Sequence, residues 1–270
     1  MTTDPASLAQ LRASAPPPSP EPDLSYIDAD GRRIAIRHRP AAAPDLPTIV
    51  FLPGYASDME GQKAVAIDLF CGARGLGCLR LDYSGTGSSG GQFADGTLDR
   101  WLADALAAID LAVPDGRLVL AGSSMGGWLA LHIAIRRPQR IAGLLGIAAA
   151  PDFTEWGYSP EDKATLQREG RLSRPNPHGP EPSLTTLDFW KSGEQMRLLY
   201  YPVEITAPVR LVCGERDQDV PTGVSLKLVE QLRSADVQLK LIKNGAHRLS
   251  EPHEIHAILV ELQNLVELAK

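Results

Sequence analysis

The stretch Leu118-Val119-Leu120-Ala121-Gly122-Ser123-Ser124-Met125-Gly126-Gly127-Trp128 decides how the rest of the chain is read. Four apolar residues run into Gly-x-Ser-x-Gly, and a long apolar-periodic segment follows at once. That is the order of a strand, a tight turn and a helix. In such a nucleophile elbow the serine sits in a strained conformation at the top of a parallel sheet. Its neighbours must be small because strand and helix nearly touch there. Gly122, Gly126, Gly127 and Ala130 meet that demand. The turn lifts the Ser124 hydroxyl clear of the backbone and aims the first N–H groups of the new helix, Met125 foremost, at the place where an oxyanion would form. The motif is short, and a chain with 24 glycines can match it by chance. Context discriminates: a strand before, a helix after, and an acid and a histidine downstream in the order Ser, Asp, His.

Working outward, length and composition bound the answer. A chain of 270 residues suits one α/β domain with a sizeable core. The net charge of −6, without a Lys/Arg run, excludes a nucleic-acid surface, which needs clustered cations. Cys71, Cys78 and Cys213 have no metal-ligand spacing, so neither a metal nor a cofactor is expected. Their odd number fits reduced thiols. No apolar run reaches the roughly 18 residues of a membrane span, and no basic-then-apolar start marks a secretory signal. A cytoplasmic location is the expectation.

Along the chain, residues 1–23 hold Pro16-Pro17-Pro18-Ser19-Pro20 and few large apolar residues, and are expected to form a flexible tail with a helix-compatible stretch at 8–12. Short alternation on either side of Asp30-Gly31 predicts an antiparallel hairpin at a sheet edge. Apolar runs at 48–52, 77–83, 118–121, 141–149, 209–213 and 237–242 predict strands, mostly buried on both faces. Helical spacing is expected over 58–73, 99–113, 124–137, 222–233 and 252–269. The glycine-rich stretch Gly85-Thr86-Gly87-Ser88-Ser89-Gly90-Gly91 looks like a phosphate loop but lacks the spacing of either nucleotide fingerprint, and reads as a tight turn after a strand. Alternating strands and helices mark a doubly wound, mostly parallel α/β sheet with helices on both faces. The alternation breaks over 151–207, which is proline-rich yet holds Leu184, Leu187, Phe189, Trp190, Met196, Leu198, Leu199, Tyr200 and Tyr201. That is too apolar for a solvated linker, and an inserted lid is expected between core segments 24–150 and 208–270. The alternative is a structural subdomain with no substrate role.

An acylating serine needs a base to take its proton and a carboxylate to hold that base in one tautomer. Parallel sheets place such groups beyond the carboxyl ends of their strands. Of six histidines, His247 alone follows a core strand, and Gly245 and Ala246 leave space beside it. Glu215, Asp217 and Asp219 all follow the strand at 209–213, and Asp217 is the chosen acid. The second oxyanion donor is expected from the loop after the first parallel strand, where Gly54 permits close approach and the N–H of Tyr55 can point inward.

At these residues the chain resembles the α/β-hydrolases, and more narrowly an animal group, the α/β-hydrolase-domain-ten thioesterases, known for palmitoyl-protein thioesterase and acyl-glucuronide esterase activity. The likeness rests on Phe51-Leu52-Pro53-Gly54-Tyr55 with Gly61 and Lys63, on Leu81-Asp82-Tyr83-Ser84-Gly85 with Gly87-Ser88-Ser89, and on the elbow. It continues through Pro208-Val209-Arg210-Leu211, Asp217 with Val220-Pro221, and His247-Arg248. The resemblance implies Ser124 as nucleophile, Asp217 as acid and His247 as base, and favours Asp217 over Asp219. Animal members enter mitochondria, whereas Asp4 and the lack of an Arg-rich amphipathic start predict no transit peptide here.

The expectation is therefore a serine hydrolase that forms an acyl-enzyme on Ser124 from a small-molecule or acylated-protein ester or thioester. Phe189, Trp190, Leu198, Leu199 and Tyr201 of the lid are expected to line an acyl groove. Alternatives on the same fold are a short-chain carboxylesterase, an acyl-glucuronide esterase, a peptidase, or a receptor without catalysis. The oligomeric state is not read from the sequence.

Overall fold

In a computed structural model of the chain, residues 20–176 and 182–269 are described. Most of the tail, with its helix-compatible stretch, and His178 of the insert lie outside the described residues. Residues 20–23, read as tail, are fixed to the sheet: Arg39 and Arg37 donate to the Pro20 and Pro22 carbonyls at 2.9 and 2.6 Å, and Arg80 to the Glu21 carboxylate at 2.7 Å. The buried Arg80 guanidinium needs acceptors; Glu21 supplies one, and the Met59 carbonyl and Glu60 carboxylate supply others.

Asp30 and Gly31 both take positive φ, 53° and 80°, the demand of a primed two-residue turn. They join β1 (Leu24–Ala29) to β2 (Arg32–Arg39), antiparallel. β3 (Thr48–Leu52), β4 (Gly77–Leu81), β5 (Leu118–Ser123) and β6 (Ile141–Ile147) are buried almost throughout, as is β9 (Val209–Gly214), whereas β10 (Val237–Ile242) is part-buried to exposed along its whole length, as an edge strand is. The sheet order is β1-β2-β4-β3-β5-β6-β9-β10, parallel from β4 to β10. The chain moves outward from β3 to β4 and then returns to β5 on the other side. The carboxyl ends of β3 and β5 are thus neighbours at a reversal of strand order, where open α/β sheets form their binding crevice.

Both faces are covered. α2 (Leu98–Ala112), α3 (Met125–Arg136) and α7 (Thr222–Gln231) build one core with Trp101, Trp128 and Leu228; α1 (Gln62–Gly72) and α8 (Pro252–Leu268) build the other with Ile67, Phe70 and Leu262. α1 starts four residues later than its spacing predicts. The Met59 N–H and carbonyl are held at 2.7 Å by Asp82 and 2.9 Å by Arg80, and Asp58 takes the Glu60 N–H. Those contacts keep 57–61 a turn. β4 and β6 end two residues early, because the Asp82 carboxylate turns to take the Met59 and Ser88 N–H groups and Ala148 takes φ 44°.

Residues 151–207 hold α4 (Phe153–Trp156), α5 (Pro160–Glu169), the antiparallel pair β7 (Arg171–Arg174) and β8 (Ser183–Thr186), and α6 (Leu187–Gln195). The segment is bonded to the core at several points. Leu98 N–H donates to Ser192 at 2.8 Å, and the Trp128 indole and His132 imidazole both meet the Met196 carbonyl, at 3.2 and 2.9 Å. Asp152, buried with φ 58°, accepts the Leu198 and Leu199 N–H groups at 2.8 Å each.

Candidate active site

Ser124 joins β5 to α3 with φ 54° and ψ −119°, a conformation that costs a non-glycine residue about 1–3 kcal/mol. The surroundings over-determine it. Its N–H donates to the Ile147 carbonyl at 2.9 Å, and its own carbonyl accepts from Gly127 at 2.9 Å and Ala150 at 3.0 Å. A Cβ on Gly122 would meet the Gly126 carbonyl, one on Gly126 the Leu52 and Pro53 carbonyls, and one on Gly127 the Ala149 side chain. Backbone at two of these positions and a fixed alanine methyl at the third leave nothing that can yield. Gly126→Ala is therefore expected to lower the unfolding free energy by about 1–3 kcal/mol or more, and to move Ser124 out of line. Urea denaturation alongside an esterase assay checks this; an alanine tolerated on both counts would contradict the packing.

The histidine and the acid arrive from the far side of the sheet. A Cβ on Gly214, at the end of β9, would collide with the Gly245 backbone. That closeness, with Arg216 N–H on the Gly245 carbonyl at 2.8 Å and Glu215 N–H on the Ile242 carbonyl at 2.9 Å, zips the loop after β9 to the loop after β10. His247 Nδ1 lies 2.9 Å from Asp217 Oδ2, and His247 Nε2 lies 3.1 Å from Ser124 Oγ. With the proton on Nδ1 donating to Asp217, Nε2 presents its lone pair to the serine hydroxyl. Asp217 Oδ1 accepts the Asp219 and Val220 N–H groups at 2.9 and 2.8 Å, and the Asp217 side chain is 1 % exposed. These bonds fix the direction in which the carboxylate faces His247. Glu215 is engaged elsewhere: Lys243 first, then the Asn244 N–H, hold its carboxyl below the usual carboxylate range. Asp219 faces solvent.

Gly54, in the loop after β3, approaches so closely that a Cβ there would stand 3.3 Å from the Ser123 carbonyl and the Ser124 Cβ. Beside it, the Tyr55 and Met125 N–H groups meet no acceptor among the described residues, leaving two donors on either side of Ser124. The Asp82 carboxylate, buried and with its pKa raised by that burial, anchors this loop through Met59. Lys63 of α1 donates to the Arg248 carbonyl and so ties the loop carrying His247 to the helix that follows the Gly54 loop; burial, then the Arg248 charge, lower its pKa to about 8.

The Tyr55 side chain points under the insert. Its ring centroid lies 4.7 Å from Phe189, 5.2 Å from Phe93, 5.8 Å from Trp101 and 6.0 Å from Phe153, and its hydroxyl donates to the Leu184 carbonyl. Burial pushes that phenol far above its ordinary pKa. Of the five lid residues expected to line a groove, Phe189 and Leu199 are buried and Trp190 and Leu198 half-buried. Tyr201 is 73 % exposed and turns its ring to solvent. Sequence reasoning missed Phe93 and Phe153, the Asp152 latch and His132, whose pKa burial lowers to about 4 and which is therefore neutral. A carboxylate directly after the apolar run of β6 was the available signal for Asp152. Among the described residues, the carboxylates and imidazole close enough to share a cation are Asp217, Asp219 and His247, within 4.8 Å, and two of them already bond to each other.

The geometry has parallels in known proteins. The serine aminopeptidase S33 family model matches residues 44–175. The mouse palmitoyl-protein thioesterase ABHD10, mitochondrial, is 39% identical over 225 residues, covering 82% of this chain and 75% of that one; the human protein of that name is 38% identical over the same share of this chain and 73% of its own. The structure of mouse α/β-hydrolase domain-containing protein 10 superposes with TM-score 0.84 at 35% identity, covering 92% of this chain and 100% of that one. That of a hydrolase from Agrobacterium vitis gives 0.86 at 37%, with the same coverage. These relatives overturn the cytoplasmic location expected from the sequence, since the mammalian ones are mitochondrial proteins.

Proposed function

Because the chain belongs to the α/β-hydrolase family, in the group that contains the mammalian ABHD10 thioesterases, we propose that it hydrolyses acyl thioesters and esters, palmitoyl-protein thioesters among them, through an acyl-enzyme on Ser124. The observation that carries this is the continuous path Asp217–His247–Ser124, at 2.9 and 3.1 Å, ending beside two unpaired backbone N–H groups. Ser124 Oγ attacks the acyl carbonyl while His247 Nε2 takes its proton. Negative charge gathers on the carbonyl oxygen, where the Tyr55 and Met125 N–H groups stabilise it. Asp217 holds the imidazolium that forms. The imidazolium protonates the departing thiolate or alkoxide, and the same base then activates the water that releases the acid.

Acyl-chain selection falls to the insert 151–207, which covers Tyr55 with Phe189 and Phe153. Each methylene taken from water into such a surface contributes about 0.8 kcal/mol, so kcat/KM should rise about tenfold or more per added carbon pair until the space is filled. One observation favours a second reading. Phe189 is 1 % exposed and packs on Tyr55, Trp101 and Phe153, as in a closed subdomain that admits short acyl groups only. Steady-state kcat/KM across acetyl, butyryl, octanoyl and palmitoyl esters and thioesters separates the two. The long-chain reading expects a rise beyond butyryl, and a shifted optimum in Phe189→Ala. A steady fall from acetyl onward, unchanged in Phe189→Ala and Trp190→Ala, would leave a short-chain carboxylesterase.

A further inference from the structure

The glycine-rich turn that resembled a phosphate loop is not absorbed by the reaction above, yet it forms one wall of a cavity of about 300 Å³. The opposite wall is the β1–β2 turn, and the lining includes Arg32, Arg33 and Arg100 together with Ser84, Gly90, Gly91 and Gln92. From these residues we infer that the cleft is an anion site for a phosphate-type group.

Three observations support it independently of Ser124. The first is preorganised charge. Arg32 Nε donates at 2.7 Å to Asp104, whose carboxylate is fully buried and also takes the Ser84 N–H at 2.9 Å and the Ser84 hydroxyl at 2.6 Å. A guanidinium braced in this way keeps its remaining N–H donors in fixed directions, which lowers the entropy cost of binding an oxyanion. The second is uncommitted charge. The Arg33 guanidinium lies over the Tyr26 ring, 3.6 Å from its centroid, and Arg100 stands exposed in the first turn of α2; neither has a carboxylate partner among the described residues. Even with Asp95 at the rim and Asp104 beneath, the cleft holds one positive charge in excess, on a chain whose net charge is −6.

The third observation is the backbone of the turn. Gly90 N–H bonds the Arg33 carbonyl at 2.8 Å and Gly85 N–H bonds the Gly90 carbonyl at 2.9 Å, so the turn is fastened to β2. Gly85 and Gly91 take φ 79° and 103°, and a Cβ on Gly85 would strike the Gln92 carbonyl. The Gly91 and Gln92 N–H groups meet no acceptor among the described residues. Successive N–H groups without an acceptor at a glycine turn, in a cleft that Arg32, Arg33 and Arg100 help to line, are the chemistry that binds phosphate.

The cleft is adjacent to the reaction centre but separated from it. Gln92 and Arg100 each precede a ring, Phe93 and Trp101, that packs on Tyr55. A phosphate could arrive as a free anion or on the leaving group of a thioester substrate.

Calorimetric titration of the full chain with inorganic pyrophosphate tests the site. Saturable binding is expected, weakened at least tenfold in Arg33→Ala/Arg100→Ala and weakened by added salt. Uncharged ester hydrolysis should be unchanged in that variant. If it falls, Arg100→Glu replaces it, since a carboxylate in the first turn of α2 suits the helix dipole while reversing the charge of the site. Absence of saturable heat, or equal affinity in wild type and variants, would overturn the inference. The same titration on Ser124→Ala is expected to match wild type, which separates this inference from the proposed reaction. The source follows from kinetics: a tenfold rise in KM confined to thioesters with a phosphate-bearing leaving group places the anion on the substrate, and an unchanged KM with pyrophosphate binding intact makes it a free anion.

Discussion

Ser124→Ala is expected to abolish labelling by a fluorophosphonate probe and to lower kcat by about a million-fold, the size of loss known for a serine of this kind in another triad enzyme. The expected loss is so large because, in the proposed reaction, the hydroxyl, the base and the two N–H donors act on one bond. Without the oxygen that forms the acyl-enzyme, only the donors and binding remain, and water must attack unaided. The backbone supplies a control. Ser124 holds φ 54°, which glycine adopts at little cost, so Ser124→Gly should be equally inactive yet as stable as wild type or more stable by about 1 kcal/mol. Inactivity with retained or raised stability separates a lost nucleophile from a damaged fold. Labelling that persists at another residue in Ser124→Ala would remove Ser124 from the mechanism, and a folded wild type that never labels would favour a receptor without catalysis.

Much of this fold was legible because its central strands are short, apolar and bounded by glycine, proline or charge. β10 lies where its apolar run predicted, at Val237–Ile242, and Asp30-Gly31 makes the predicted turn. Legibility ends where distant contacts outweigh local pattern. The stretch 58–61 reads as helix by spacing, but Asp82 and Arg80, more than twenty residues away, claim the Met59 backbone. The β7–β8 pair was not expected at all. Its strands are four residues long and mostly part-exposed, so they carry no period to read. What holds them is tertiary: Arg174 on Asp162, the Tyr158 hydroxyl 2.9 Å from Thr185, and Tyr55 on the Leu184 carbonyl.

The candidate site divides in the same way. Ser124 and His247 follow core strands, so strand pattern and turn chemistry alone could select them. The aim of a side chain is different. Three carboxylates follow β9 within five residues, and which one faces β10 depends on how the Gly214 and Gly245 backbones touch across the sheet. The likeness of Tyr201 to Phe189 in the sequence was misleading for the same reason. Both are aromatic and in the insert, but Phe189 projects from α6 onto Tyr55 while Tyr201 turns outward beside α7.

Asp217→Asn is expected to lower kcat by about ten-thousand-fold, as the equivalent change does in another triad enzyme, while Asp219→Asn and Glu215→Gln change it less than tenfold. The amide keeps the shape of the carboxylate. Its oxygen can still accept from Asp219 and Val220, so the loop should hold its place. The group facing His247 Nδ1 then becomes an N–H donor, and the imidazole must present an unprotonated Nδ1 to it. That tautomer puts the proton on Nε2, 3.1 Å from Ser124 Oγ, where a lone pair is required. The base is blocked, and the imidazolium that would form loses its counter-charge. Glu215 lacks this leverage because Lys243 and the Asn244 N–H occupy it. Asp219 donates its backbone N–H, which Asn retains, to Asp217, and its exposed carboxylate lies within 4.8 Å of the pair, whereas His247 Nδ1 bonds to Asp217. Raising the pH should not restore Asp217→Asn to wild-type rates, because a tautomer and not a protonation state is at fault, although hydroxide at high pH can lift the residual rate. Purified variants assayed on one activated ester, with circular dichroism to verify the fold, decide the matter. Comparable losses in Asp217→Asn and Asp219→Asn would mean that the His247 loop answers to the cluster as a whole, and a larger loss in Asp219→Asn would transfer the role to that residue.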